Sequence, residues 1–82
     1  MIRVSAKEKE IIVSVEEGEK EVRVVSELPG IEENDINLKL ENKRLLIKAG
    51  IKRKYVYLPY EVKPAFAKTF NNGILEVVLE KK

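Results

Sequence analysis

The sequence predicts an all-β fold, a small antiparallel β-sandwich or barrel. Apolar and polar residues alternate along most of the chain, as in the stretch 36–40 (INLKL), and this period of two is typical of strands with one buried face. Turn-forming Gly, Pro and Asn residues fall between these runs. No stretch repeats its apolar residues at helical spacing, so no long helix is expected. About seven short strands in such a chain are typical of a single sandwich domain, here residues 1–82.

The strands are predicted from their alternating apolar positions. Residues on both faces are apolar near the end of the chain, where Leu75, Val77 and Leu79 oppose Ile74 and Val78, and this indicates a layer covered by a second sheet. An extra edge strand at Ile2 and Val4 is also predicted, with residues 7–10 as its turn or as a solvated loop. The other predicted strands lie at 11–15, 22–24, 36–40, 45–49 and 55–58.

Asn72-Gly73 is the strongest turn signal, because a two-residue hairpin needs residues that tolerate positive φ. Its flanking residues, Phe70 and Ile74, belong to predicted strands. The remaining predicted breaks are Pro29-Gly30, a close link over 41–44, a loop bracketed by Pro59 and Pro64, and one helical turn over 32–35.

The composition excludes most catalytic chemistry. The chain has no Cys and no His, so it offers no thiol nucleophile, no disulfide and no imidazole base or metal ligand. Its many carboxylates lie in predicted turns or on polar strand positions, where nothing shifts their pKa values for acid–base work. We therefore expect no enzyme, no cofactor and no metal site.

Charge and hydropathy limit the partners. Sixteen basic and 14 acidic side chains give a net charge of +2, which is too balanced to indicate a phosphate-binding surface. No apolar run approaches the roughly 18 residues of a membrane span, and Met1 begins no signal peptide. A cytoplasmic protein is expected, with no membrane partner. The Lys/Glu-rich composition without Cys or Gln is typical of heat-adapted proteins.

Four motifs in register resemble the α-crystallin domain of small heat-shock proteins. The family's LPG passage with a following DI pair is similar to Leu28-Pro29-Gly30 and Asp35-Ile36, and the match runs from about Ile11 to Lys81. The resemblance implies an immunoglobulin-like β-sandwich of the α-crystallin type. It also implies a stress-response chaperone that binds unfolded client proteins, or a partner peptide, without ATP. The other three motifs are Arg44–Gly50, Tyr55–Pro59 and Asn72–Val77.

The chain also departs from that family. Bacterial, archaeal and plant members place a long loop with an exchanged strand between the strands that here end at Ala49 and begin near Tyr55, and only residues 50–54 remain. The usual N-terminal arm and I-x-I tail are not seen, so large oligomers are not expected. A monomer is expected, or an edge-to-edge homodimer through a strand such as Tyr55–Leu58. CS-type co-chaperone domains and the α-crystallin-like domains of arsenite-ATPase-type targeting proteins share the short loop, so a CS-like adaptor domain is the alternative function.

The resemblance implies one binding site. Members of the family hold the I-x-I tail in a groove between the strand similar to Ile36–Leu40 and the strand similar to Phe66–Phe70. The candidate groove residues are Leu38, Leu40, Phe66 and Phe70. Ordinary core positions are the competing interpretation, because alternation shows which residues share a face and not whether that face is covered.

A nucleic-acid-binding barrel is a further alternative. Basic residues at 52–54 precede Tyr55, Tyr57 and Tyr60, and aromatic rings beside cations suit stacked single-stranded bases. An ordinary sheet face with a charged turn explains the same cluster, and we favour it. Nucleic acid is therefore not expected as a partner.

Overall fold

The computed structural model describes residues 11–82, and the predicted strand at Ile2 and Val4 with its turn at 7–10 lies outside them. Seven strands and one 3₁₀ turn at Glu33–Asp35 account for the ordered elements of this part. The alternation of apolar and polar residues explains why these segments form strands, because each strand then presents its apolar side chains to one face. The strands are β1 (Ile12–Glu17), β2 (Glu21–Glu27), β3 (Ile36–Glu41), β4 (Arg44–Ala49), β5 (Lys52–Tyr57), β6 (Val62–Asn71) and β7 (Ile74–Lys81).

The strands form two antiparallel sheets. Sheet A has the order β1-β2-β7-β6 and sheet B the order β3-β4-β5. Most neighbours are sequential hairpins, whereas β2 and β7 pair across almost the whole chain, with Val24 opposite Val77. The predicted all-β sandwich is therefore confirmed. Residues 11–82 contain no helix with the length and apolarity that crossing a membrane requires.

The core lies between the inner faces of the two sheets. Within residues 11–82, Ser26 is the only buried polar side chain, and its hydroxyl donates a hydrogen bond to the carbonyl oxygen of Ile12 at 3.1 Å. Alternation along each strand selects the core residues, as predicted. They are Ile11, Val22, Val24, Leu28, Ile36, Leu45, Ile47, Ala49, Val56, Leu58, Val62, Leu75, Val77 and Leu79.

The predicted turn at Asn72-Gly73 is confirmed. Asn72 and Gly73 have φ angles of 50° and 79°, the positive values that a two-residue hairpin turn requires. The carbonyl oxygen of Gly73 accepts a 2.6 Å hydrogen bond from the backbone N–H of Leu28. The hairpin is thereby joined to the segment that leads from sheet A into sheet B.

Two details differ from the sequence-based expectation. Pro64 lies inside β6 rather than at the end of a loop, at a register shift between Val62 and Phe66. An edge strand tolerates proline there because no neighbour needs its missing N–H. Alternation along the predicted strand 11–15 assigns Val15 to the same face as the buried Ile11, but Val15 is 42% exposed, because β1 is an edge strand.

The link between β4 and β5 is shorter than the predicted 50–54 segment. Only Gly50 and Ile51 separate the two strands, and Gly50 has a φ of 64°. The residues between Ala49 and Tyr55 therefore form a tight hairpin, which leaves no length for an additional strand at this place.

Tyr60 lies at one end of sheet A, where it contacts residues of β1 and β7. The ammonium of Lys81 lies 4.1 Å from its ring centroid and 3.5 Å from a carboxylate oxygen of Glu17. The Tyr60 hydroxyl donates a hydrogen bond to that carboxylate, which raises the pKa of the phenol above its ordinary value. Since the folded-state pKa is raised, the associated stability is present below the unfolded pKa and is lost as pH rises through the folded one.

Glu17→Gln is expected to lower the pKa of Tyr60 toward that of a free tyrosine, because the amide carries no charge to oppose the phenolate. Absorbance at 295 nm, followed against pH in a Tyr55→Phe/Tyr57→Phe background, isolates this one phenol. Glu16→Gln removes a neighbouring carboxylate on the opposite face of β1 and serves as the control. An equal shift in both variants would contradict the assigned hydrogen bond.

Candidate functional site

A groove runs between the two sheets along the edges formed by β3 and β6. Each of these strands has a neighbour on one side only, β4 and β7 respectively. Because both edges lie on the same side of the sandwich, inward-facing side chains there are covered only in part. An edge strand also has backbone N–H and C=O groups without strand partners.

Leu38 and Leu40 form the β3 wall of this groove. They lie opposite Ile47 and Leu45, which are fully buried, so their side chains point to the inner face of sheet B. Both leucines are half-buried and pack against the core. The wall is therefore apolar and partly accessible.

Phe66 and Phe70 form the opposite wall on β6. They lie opposite Leu79 and Leu75, and both rings are half-buried against the core. Lys68 lies between them on the same inner face, opposite the buried Val77, yet it is exposed. Its exposure shows that sheet B does not extend over this part of β6.

Two depressions follow one another along the groove. The larger has a volume of about 400 Å³ and is lined by Ile36, Asn37, Leu38, Phe66 and Lys68. The smaller, of about 170 Å³, is lined by Leu40, Asn42, Glu61, Val62, Pro64 and Lys82. We call these the Leu38 depression and the Leu40 depression, and together they are the β3–β6 groove.

Three of the four predicted residues line these depressions. Leu38 and Phe66 meet in the Leu38 depression and Leu40 lines the other, whereas Phe70 packs on the core beyond them. Val62 and Pro64 line the groove but were missed from the sequence. Both precede Phe66 at intervals of two residues on the same strand, so alternation could have indicated them. Pro64, however, was interpreted as the end of a loop.

The predicted cluster of basic and tyrosine residues is divided by the sheet. Tyr55 and Tyr57 lie on the outer face of sheet B, where the guanidinium of Arg44 stacks 4.7 Å from the Tyr55 ring centroid. Lys52 and Lys54 lie on the inner-face side of the same strand, opposite Ala49 and Ile47. Of the three basic residues only Arg53, opposite Lys48, shares the outer face with these two rings.

Tyr60, the third ring of that cluster, lies beside Lys81 and away from the outer face of sheet B. On that face, Arg44 donates a hydrogen bond to Glu41 and thereby lowers the pKa of this carboxylate. These exposed contacts stabilise the surface weakly.

No cluster of three or more Asp, Glu, Cys or His side chains suited to hold a metal ion occurs in the described part of the chain. Glu21, one of the carboxylates predicted to be solvated, and Glu76 flank Arg23 on the outer face of sheet A. The Arg23 Nε atom lies 2.9 Å from a Glu76 carboxylate oxygen. Both carboxylates are therefore ion-paired groups on the protein surface.

Comparison with known families gives one match. Residues 19–79 match the family model described as an HSP20-like domain found in ArsA. This range extends from the turn before β2 to Leu79 in β7, so it includes both walls of the groove. No curated protein matches the sequence.

Solved structures with the same fold include heat shock proteins. Heat shock protein 16.0 from Schizosaccharomyces pombe superposes with a TM-score of 0.80 at 22% identity, over 88% of this chain and 86% of that chain. A small heat-shock protein from Xylella fastidiosa gives 0.77 at 18% identity, over 88% and 85%. A nuclear movement protein from E. cuniculi gives 0.73 at 17% identity, over 85% of each chain.

Proposed function

The chain belongs to the family of HSP20-like domains found in ArsA, and on that premise we propose that it is a protein-binding chaperone domain. Its β3–β6 groove would hold an extended apolar segment of an unfolded client chain, without ATP and without catalysis. The setting would be the cytoplasm. The observation that carries the proposal is that both edge strands leave apolar side chains only half-buried, namely Leu38, Leu40, Phe66 and Phe70.

The spacing of the groove suits an extended peptide. Leu38 and Leu40 are two residues apart on one strand, a distance of roughly 6.6–6.8 Å. Alternate side chains of a bound extended segment repeat at the same distance, so two apolar side chains at positions i and i+2 would enter the two depressions. The unpaired backbone groups of β3 or β6 would add main-chain hydrogen bonds, as in other strand-addition complexes.

Leu40→Asp is expected to weaken binding of a labelled ten-residue peptide with two isoleucines at i and i+2 by roughly 30-fold, the effect of losing one interface hot spot. The carboxylate would lose hydration beside the apolar side chain of the peptide, and the apolar contact of Leu40 would be lost. Because Leu40 is half-buried at an edge, the variant should stay folded. Fluorescence anisotropy measures the binding, and circular dichroism measures Tm.

Leu46→Asp is the matched control, since Leu46 is also half-buried but lies on the outer face of sheet B, opposite Lys39 and Tyr55. It introduces the same charge away from the groove and should leave peptide binding unchanged. Unaltered binding by a folded Leu40→Asp protein would reject the β3–β6 groove as the binding site.

A CS-like adaptor is the second candidate, and the match to a domain found in ArsA favours it. In that function the groove would hold one defined peptide of a partner or of a larger targeting ATPase, rather than many unfolded clients. Light scattering combined with an aggregation-suppression assay separates the two. Suppression of aggregation by an oligomer supports the chaperone, whereas a monomer that binds peptide without suppressing aggregation supports the adaptor.

A further inference from the structure

Lys68 introduces a single cation into a depression whose other lining residues, among them Leu38 and Phe66, are uncharged. It lies on the inner face of β6, opposite Val77, and lines the Leu38 depression with Leu38 and Phe66. None of the other residues that line this depression carries a charge. The neighbouring Leu40 depression differs, because its lining includes both Glu61 and Lys82, whose charges are opposite.

The ammonium of Lys68 has no ionic partner within residues 11–82. The other β6 lysine, Lys63, lies 3.2 Å from a carboxylate oxygen of Glu80. Five further ion pairs join other side chains of the described residues, and Lys68 belongs to none of them. A lysine that is fixed by its strand at the mouth of an apolar groove offers a complementary site for a carboxylate.

The register of the strands places this site relative to the two apolar positions. Leu40 shares its depression with Val62 and Pro64, whereas Leu38 shares its own with Phe66 and Lys68. As β3 proceeds from Leu40 back to Ile36, β6 therefore advances from Val62 to Lys68. Lys68 is thus displaced by one inward-facing position beyond Phe66, on the side away from the Leu40 depression.

We propose that the β3–β6 groove selects an extended polypeptide segment with two apolar side chains at alternate positions, one for each depression. The segment also carries a carboxylate, two residues beyond the apolar residue that enters the Leu38 depression. This inference rests on the proposed function and deepens it. Alternate residues of an extended chain point to the same side, so the carboxylate would face the groove together with the two apolar side chains. The segment can run in either direction, which places the acidic residue at i−2 or at i+4.

A set of labelled peptides tests the inference with the intact chain. Each peptide carries isoleucine at i and i+2 on a serine background, with Glu or Gln at i−2 or at i+4. One of the two Glu peptides is expected to bind about threefold to fivefold more tightly than its Gln counterpart at low salt, the range of a solvent-accessible ion pair. At 1 M salt, where charges are screened within about 3 Å, the preference should disappear.

Lys68→Met keeps the length of the side chain without its charge and should abolish the Glu preference, so that each Glu peptide binds as tightly as its Gln counterpart. Lys68→Glu should reverse the preference in favour of a peptide with Lys at the same position. Lys63→Met is the matched control, because it removes a lysine of the same strand that is paired with Glu80 outside both depressions. It should leave the preference intact.

The outcomes separate this inference from the function on which it rests. If all peptides bind equally well whatever their charge, the carboxylate selection is wrong and the apolar groove stands. If none of them binds, or if Leu40→Asp binds them all unchanged, the groove itself is wrong. If Lys68→Met increases self-association and leaves the peptide preference unchanged, Lys68 protects the edge of β6 and does not select a ligand.

Discussion

Leu45→Ala is expected to lower the free energy of unfolding by about 2–5 kcal/mol, the range for removing a buried leucine and leaving a cavity. Leu45 is completely buried in β4, the central strand of sheet B. Its neighbours on that face are Leu40 and Val56, so its side chain lies in the middle of the sheet and against sheet A. Urea unfolding followed by circular dichroism measures the loss.

The loss is large for a domain of this size, whose total stability is typically about 5–15 kcal/mol. Leu46→Ala is the control, because the next residue of β4 is half-buried on the outer face and leaves no enclosed cavity. If Leu45→Ala does not fold, Ile47→Val removes a single buried methyl group and should cost about 0.5–1.5 kcal/mol. A Leu45→Ala loss no larger than that of Leu46→Ala would contradict the position of the core between the sheets.

Gly73→Val is the second substitution with a large expected cost, about 2–3 kcal/mol of folding free energy. Gly73 has a φ of 79°, and a residue with a β-carbon is strained there by roughly 1–2 kcal/mol, more when it is β-branched. The new Cβ would lie 3.5 Å from the Cα of Pro29. The two methyl groups of valine would therefore crowd the segment around Pro29, to which the hairpin is hydrogen-bonded through Leu28. Thermal unfolding measures the effect as a decrease in Tm.

Gly30→Val distinguishes the cost of backbone strain from the cost of the contact with Pro29. Gly30 has a nearly identical φ of 80°, but no atom lies within 4 Å of the position a β-carbon would take. Its cost should therefore reflect backbone strain alone and be smaller by about 1 kcal/mol, in the range of a modest packing defect. Equal costs at Gly30 and Gly73 would show that the contact with Pro29 contributes nothing.

The features that the sequence predicts well are those determined locally. Alternation assigns Leu45, Ile47 and Ala49 to one face of a strand without knowledge of the neighbours, and Asn72-Gly73 determines its own hairpin. The pairing of β2 with β7 is different, because it joins segments about fifty residues apart. Nothing in the sequence of either segment identifies the other as its partner. The count of alternating strands predicted one sandwich and the order of the four motifs agreed with it, but neither identified β2 and β7 as partners.

The groove shows the limit of the same reasoning. Leu38 and Leu40 were placed on one face by alternation, but their partial exposure depends on how far the opposite sheet extends. Pro64 was misread because proline is excluded from central strands and accepted in edge strands, and edge position is a property of the assembled sheet. Lys68 could not be assigned to a site from the sequence, because Ile36, Asn37 and Leu38, its neighbours in the Leu38 depression, belong to another part of the chain.

The position of β7 in sheet A affects how the domain folds during synthesis. Residues 74–81 form an interior strand that pairs with both β2 and β6, so β6 cannot be joined to the β1–β2 hairpin before these residues leave the ribosome. Until then the β1–β2 hairpin and sheet B expose strand edges and apolar inner faces, which favour aggregation of nascent chains. We therefore expect the core of sheet A to be completed late in synthesis, and a nascent chain stalled before Ile74 to be prone to aggregation.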